Sequence, residues 1–268
     1  MIEVEPYSDD ITCIKTATSQ DGGHPIMWVY SYKILNTLFD GGAANAREEF
    51  REYLDDVTID AVYISHSHED HIGCVDILDG KVPIYAWKSA IDLLRDPPEL
   101  PEFFQFVWGQ PLPTKNVESM PSTFDVGQYH FDVIAVPGHQ EDMVAFFETN
   151  HRWLFSADAV PLPSRKYIAM PDENVPRMIA TLERLQTLEI EILFDAHRGP
   201  IQSPRDHIQK RIDYLKETQQ RVKEMDKEGL DYTQMMEKLE LNPPWYVEMT
   251  KDRFAIEFFL RSLLRDEP

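Results

Sequence analysis

The sequence predicts an α/β domain followed by an all-helical tail, and three observations predict it. Up to about residue 200, apolar runs of strand length alternate with segments of helical spacing. The residues best able to ligate a metal fall directly after those apolar runs, where loops open to solvent. From Ser203 onward only helical spacing remains.

The elements follow in order. Residues 11–14 read as a strand, 27–30 and 32–35 as the next pair, and 37–39 as another. Asp40-Gly41-Gly42 breaks the strand pattern, and 44–54 is helical. The apolar run 59–64 reads as a buried strand and delivers His66-Ser67-His68-Glu69-Asp70-His71. A helix follows, with Asp70 near its N-terminus, where a carboxylate is favoured. Residues 82–86 form a strand and 88–95 a short helix. Residues 96–122 are irregular, with Pro97, Pro98, Pro101, Pro111, Pro113 and Pro121 set among Phe103, Phe104, Phe106 and Trp108. Such a segment either faces a substrate as a binding loop or packs onto the core as an aromatic plug.

Residues 129–136 form a strand ending in Pro137-Gly138-His139. Residues 143–148 and 152–155 make a hairpin around Thr149-Asn150-His151, and its second strand ends in Ser156-Ala157-Asp158. Residues 174–188 are helical, with Met178, Ile179, Leu182 and Leu185 on one face. The strand 191–194 ends in Asp195-Ala196-His197. Ser203-Pro204-Arg205-Asp206 has the form of a capping box with proline at the first helical position. Ile208, Ile212, Leu215, Val222 and Met225 continue that helix, and 231–239 and 246–264 supply two more. Trp245, Tyr246, Phe254, Phe258 and Phe259 give the tail apolar surface for packing on the core, for a lid, or for a homodimer interface.

Composition bounds the function. The chain has 268 residues, 43% of them hydrophobic, enough for one substantial domain with an appendage. No apolar stretch approaches membrane-spanning length, and the first residues lack the pattern of a signal peptide. Two cysteines, Cys13 and Cys74, are too few for a disulfide framework, and a cytoplasmic location is expected. A net charge of −21 repels polyanions, so the expected partner is a small-molecule substrate, with neither nucleic acid nor membrane.

The chemistry sits in the histidine run. In extended chain, His66 and His68 point the same way and reach one ion together. The chain must then turn, and Asp70 and His71 point at a neighbouring spot. Imidazole nitrogen and carboxylate oxygen are ligands that first-row divalent metals accept. His139, Asp158 and His197 also follow strands, which makes seven potential ligands at strand ends.

Asp40-Gly41-Gly42, His66-x-His68-x-Asp70-His71, Pro137-Gly138-His139, Ser156-Ala157-Asp158 and Ala196-His197 together resemble, in order, the motifs of the metallo-β-lactamase-fold hydrolases. The resemblance covers about residues 10–200 and implies an αββα four-layer sandwich with metals at one edge. It implies a catalytic domain over 1–202 and a helical extension over 203–268 that packs on or over the active site. It further implies that His66, His68 and His139 hold one metal, that Asp70, His71 and His197 hold a second, and that Asp158 bridges them. Asp40 is then an acceptor that orients a ligand histidine. The resemblance also implies Asp70 and Asp158 as the catalytic carboxylates. The set lacks the cysteine of one β-lactamase branch and has His68 where the flavodiiron branch has glutamate. It is therefore most similar to dinuclear hydrolases of the glyoxalase II, lactonase or ribonuclease Z kind. The expected cofactor is two divalent ions, zinc first and iron or manganese as alternatives. The implied mechanism is attack by a hydroxide shared between the metals.

An acyl thioester is the leading substrate class, because glyoxalase II-like enzymes close a helical region over the site. Lys251 and Arg253 are the basic candidates in the tail. A lactone or another carboxylic or phosphoric ester is the alternative. The lactonase branch has a tyrosine shortly after the bridging aspartate, whereas here Asp158 is followed by Ala159-Val160-Pro161 and the next tyrosine is Tyr167. A reading of another class is a metal-dependent binding module without turnover.

Overall fold

The computed structural model describes residues 1–19, 23–160, 167–251 and 253–265. Pro161 and the last residues of the 203–268 tail lie outside them. Two sheets lie face to face. The first holds β1 (Ile2–Pro6), β2 (Ile11–Thr16), β3 (Val29–Ile34), β4 (Thr37–Phe39), β5 (Ala61–Ile64), β6 (Ile84–Ala86) and β7 (Val117–Ser119), in that spatial order. The second runs from β8 (Thr123–Val126) through β9 (Tyr129–Ala135), β10 (Val144–Glu148), β11 (Trp153–Ala157) and β12 (Ile192–Asp195) to β13 (Gly199–Ile201). Strands β4 to β7 are parallel, as are β11 and β12, so several carboxyl ends open on the same end of the sandwich.

Alternating side chains build three apolar layers. Between the sheets, Phe39 and Tyr63 from the first meet Phe131, Phe146 and Phe155 from the second. Outside the first sheet, α1 (Arg47–Asp55), α2 (Glu69–Ile72) and α3 (Ile91–Arg95) bring Phe50, Ile72 and Leu94 onto Leu38, Val62 and Ile64. Outside the second, α5 (Val175–Leu185), α6 (Pro204–Lys227), α7 (Tyr232–Lys238) and α8 (Ile256–Leu263) share one cluster with Leu154 and Leu193. This is the αββα order.

Several local expectations are corrected. The pair 27–30 and 32–35 is one strand, β3, because Ser31 is buried in the ladder and nothing there breaks it. The segment 96–122 is not wholly irregular: it carries α4 (Glu102–Val107) and β7. The helix over 246–264 is broken, with a single 3₁₀ turn at Val247–Thr250 and then α8, because Lys251 takes the left-handed conformation at φ 50°. Ser203 begins α6 without a side-chain cap bond. The capping box is instead at Asp231 and Gln234, opening α7. Strands β1, β8 and β13 complete the sheets but were not marked by the hydrophobic pattern.

Candidate metal centre

Cross-sheet hydrogen bonds close the sandwich at the end where the histidines gather. Val144 N–H donates to the Ser65 carbonyl at 3.0 Å, Tyr30 N–H to the Ala196 carbonyl at 2.7 Å, and Tyr32 Oη–H to the Asp195 carbonyl at 2.6 Å. The loops after β4, β5, β11 and β12 are thereby held in one place. The loop 137–139 is pinned by α5: Asn174 N–H donates to the Gly138 carbonyl at 2.8 Å and Thr181 Oγ1 to the Pro137 carbonyl at 2.7 Å. Gly138 has φ 138°, and a Cβ there would lie 2.6 Å from the Met178 backbone, so only glycine lets His139 approach this closely. Ala157 has φ 47° at a register shift in the β11–β12 pairing, which turns Asp158 out of the strand and into the site.

The seven residues named from the sequence come together as two neighbouring groups. His66, His68, His139 and Asp158 offer ligand atoms that all lie within 4.8 Å of one another, and so do Asp70, His71 and His197. In the first group, His68 Nδ1 is 3.1 Å from His66 Nε2 and 2.9 Å from His139 Nε2, and Asp158 Oδ2 is 3.3 Å from His139 Nε2. In the second, Asp70 Oδ2 is 3.6 Å from His197 Nε2 and 3.9 Å from His71 Nε2. Asp158 belongs to both. Its Oδ2 faces the first group, and its Oδ1 lies 3.3 Å from His197 Nε2 and 3.6 Å from His71 Nε2.

These spacings suit cations. Ligand atoms about 2.1 Å from a tetrahedral ion are about 3.4 Å apart. Two atoms at the centre, His71 Nε2 and Asp158 Oδ1, are buried and have no hydrogen-bond partner among the described residues. Such atoms carry a desolvation cost that a cation between them would offset. The donor set of imidazole nitrogen and carboxylate oxygen is one that divalent metals accept.

The outer ring nitrogens are also held. Asp40 sits in the left-handed region at φ 61° and accepts from Ser65 N–H, Ser65 Oγ–H and His71 Nδ1–H, each at 2.8 Å. Because the Ser65 hydroxyl donates its proton to Asp40, its oxygen accepts from His66 Nδ1–H at 3.0 Å. Asp40 therefore fixes the tautomer of one histidine in each group, directly for His71 and through Ser65 for His66, and leaves both Nε2 lone pairs facing inward. His197 Nδ1–H donates to the Trp28 carbonyl at 2.9 Å, and His139 Nδ1 is 3.5 Å from Glu173 Oε1. Ser65, Glu173 and the Trp28 carbonyl carried no signal in the sequence, since each acts through contacts that only the folded chain makes.

Electrostatics divide the histidines. Burial drives His66 and His68 well below the ordinary histidine range, and neighbouring histidines push the same way. Burial also favours the neutral ring at His71, but Asp70, Asp40 and Asp158 outweigh it and hold its pKa well above the ordinary value. His139 and His197 are both raised to about 9 against the effect of burial, His139 by Asp158 and Glu173 and His197 by Asp158 and Asp70. Burial would raise Asp158, yet His197 and His71 hold it well below the carboxylate range.

A cavity of about 420 Å³ opens over both groups. Phe103, Phe104, Val107 and Trp108 form one wall, and Trp245, Tyr246 and Phe254 from the tail form another. Arg253 also lines it, whereas Lys251 does not. Arg253 Nη2 donates to Glu69 Oε2 at 2.8 Å, and its guanidinium lies 4.2 Å from the centre of the Phe104 ring.

With this geometry in place, comparison with known proteins is direct. The family model described as "Metallo-beta-lactamase superfamily" matches residues 29–197, more than half of the chain. A hydroxyacylglutathione hydrolase of Legionella pneumophila (strain Paris) is 26% identical over 136 residues, covering 50% of this chain and 47% of the relative. One from Psychromonas ingrahamii is 34% identical over 106 residues, covering 38% of this chain and 33% of the relative. The match thus spans about half or less of these relatives' length. Among solved structures, a beta-lactamase domain protein from Burkholderia ambifaria superimposes with a TM-score of 0.71 at 14% identity, covering 97% of this chain and 86% of that one. A metallo-beta-lactamase family protein from Thermus thermophilus gives 0.68 at 15% identity, covering 97% and 93%. These two likenesses speak to the fold. With the family match over the ligand-bearing residues, the chain belongs to the metallo-beta-lactamase superfamily.

Proposed function

We propose that this protein hydrolyses an acyl thioester at a centre of two divalent ions, zinc by first preference. The observation that carries the dinuclear reading is Asp158, whose two oxygens face different ligand groups. His66, His68 and His139 would hold one ion, Asp70, His71 and His197 the other, and Asp158 both. When bound, the ions supply an acidified water as nucleophile and a Lewis acid for the carbonyl oxygen.

The chain's own residues do the rest. Asp158 keeps the two groups in register. Asp40 and Ser65 hold the imidazoles of His66 and His71 in ligating tautomers, so neither ring reorganises during turnover. Asp70 accepts the proton of the attacking water at its carboxylate and returns it to the departing sulfur. Trp108, 6.2 Å from His197 between ring centres, and the aromatic walls exclude bulk water from the reacting carbonyl.

The thioester preference is supported by the hydroxyacylglutathione hydrolases matched over part of their length. A lactone or oxygen ester is the second reading, favoured by the apolar cavity, which suits an uncharged substrate of either kind. Elemental analysis of the purified protein, paired with a panel of thioester, lactone, phosphodiester and β-lactam substrates, tests the proposal. Near two ions per chain with thioesters fastest is the expected result. Two ions with lactones fastest replaces the substrate class, and two ions with no turnover favours a binding module.

A further inference from the structure

The cavity above the ligand cluster has a composition that the chemistry of hydrolysis does not require. Its long walls are aromatic and aliphatic, and its mouth is apolar as well. Trp245 is 77% exposed, Ile26 41% and Met27 38%, all three lining the cavity. Large apolar side chains left in water beside an open cavity mark a surface that apolar matter covers in use. Among the described residues, Arg253 is the one lysine or arginine that lines the cavity. One of its five N–H donors is engaged, because the buried Glu69 carboxylate takes its Nη2, and Phe104 lies against its face. A substrate carboxylate approaching this guanidinium would meet the negative charge of Glu69, held at the start of α2 next to His68 and Asp70. The chain as a whole, at −21, gives no long-range attraction to an anion.

We infer that the substrate is an acyl compound whose larger group is uncharged and apolar, such as an alkyl chain of about six carbons or a phenyl ring, lying between Phe104, Trp108 and Phe254 and reaching toward Trp245. A cavity of about 420 Å³ is within the size range of sites that enclose such groups. Specificity then comes from apolar burial in the walls rather than from charge recognition of a thiol carrier. The inference rests on the hydrolase reading, with the thioester as its first case, and it separates this chain from a strict preference for an anionic glutathione thioester.

The test uses the full-length, metal-loaded protein. Acetyl, butyryl, hexanoyl and phenylacetyl thioesters of N-acetylcysteamine are compared with the matching glutathione thioesters. Burial of each added methylene raises kcat/KM by at most about fourfold, so a rise of tenfold or more from acetyl to hexanoyl is expected. The neutral thiol series should equal or exceed the glutathione series. Phe104→Ala is expected to flatten the chain-length dependence. A flat or falling series, or a tenfold preference for glutathione thioesters, overturns the inference.

Matching γ-alkyl lactones and ethyl esters separate the two readings. Inert thioesters beside lactones whose rates rise with chain length would remove the thioester assignment and keep the apolar site. Binding of S-ethyl and S-hexyl N-acetylcysteamine thioethers to metal-free protein, read by tryptophan fluorescence, gives a result independent of turnover. The hexyl compound should bind at least tenfold more tightly, and equal binding overturns the inference.

Discussion

The floor and the walls of the site are built by different physics. The floor is the ligand cluster, set beyond the carboxyl ends of β5, β9, β11 and β12, with His66 and His71 fully buried and their outer nitrogens held by polar partners. The walls come from α4 and the residues around it and from the segment between α7 and α8. They meet the cavity through apolar contacts and, among the described residues, the Arg253–Glu69 pair. Directional bonds to a rigid sheet fix position to a fraction of an ångström, which chemistry needs. Apolar contacts are non-directional and tolerate change of shape, which suits selection among substrates. The difference predicts that changes in the floor abolish turnover, while changes in the walls redistribute it.

The largest effect should come from Asp158. Replacing it with alanine removes the one carboxylate shared by both groups. Activity is expected to fall by at least the 10²–10³-fold, roughly, that loss of a single electrostatic contact at a reacting centre costs, and metal content should move toward one ion per chain. Elemental analysis and kcat/KM on the same preparation check both. Full activity with two ions retained would break the claim that this residue joins the groups.

Asp40 should rank next. It touches no inward-facing atom, yet it accepts from His71 directly and from Ser65, which in turn holds His66. Asp40→Ala is expected to weaken metal affinity by about 10–100-fold, and to do so at both positions because it serves a histidine in each group. Competitive titration with a chromophoric chelator separates the two affinities. Weakening confined to the His71 position would break the Ser65 relay and leave the direct contact standing. Chelation of both ions in the wild-type protein should end turnover while far-UV circular dichroism stays nearly unchanged, since the layer formed by Phe39, Phe131, Phe146 and Phe155 does not depend on the cluster.

These two residues also show what a sequence can and cannot carry. Asp158 was legible because a strand-length apolar run ends at it, and strand ends collect functional groups. The same reasoning located His66, His68, His139 and His197, and the alternation of strands and helices gave an α/β core, while the two-sheet sandwich came from the resemblance of the motifs to a known family. Glu173 and Ser65 were not legible. Glu173 meets His139 across 34 positions of chain, a distance that only the packing of α5 on the loop 137–139 closes. Ser65 matters because its hydroxyl has one proton, and where that proton goes depends on Asp40 in an unusual backbone conformation. The edges of the sheets were missed for a related reason. Strand β1 is largely exposed, with Glu3 and Glu5 in its ladder, so its pairing comes from backbone bonds to β2 rather than from a hydrophobic pattern. In the tail, the helical period of 246–264 was real, but Lys251 interrupts it through a backbone turn that periodicity does not register.

The smallest effect lies in the tail that supplies a wall, and it compares two helix starts. Ser203-Pro204-Arg205-Asp206 has the sequence form of a cap, yet the Ser203 side chain makes no cap bond. Asp231 has the working version: its carboxylate accepts from Gln234 N–H at 2.9 Å, and the Gln234 side chain accepts from Asp231 N–H at 3.0 Å. A cap stabilises because it satisfies orphan N–H groups in the first turn, and Pro204 at the head of α6 removes one such donor in advance. Asp231→Ala should therefore cost about 1 kcal/mol, whereas Ser203→Ala should stay within about 0.5 kcal/mol of the parent. Urea denaturation of the two variants, with equal m-values required, measures the difference. Equal losses would mean that Ser203 caps α6 in solution. A loss at Asp231 alone, with metal content unchanged, would show that the wall can be loosened without disturbing the floor.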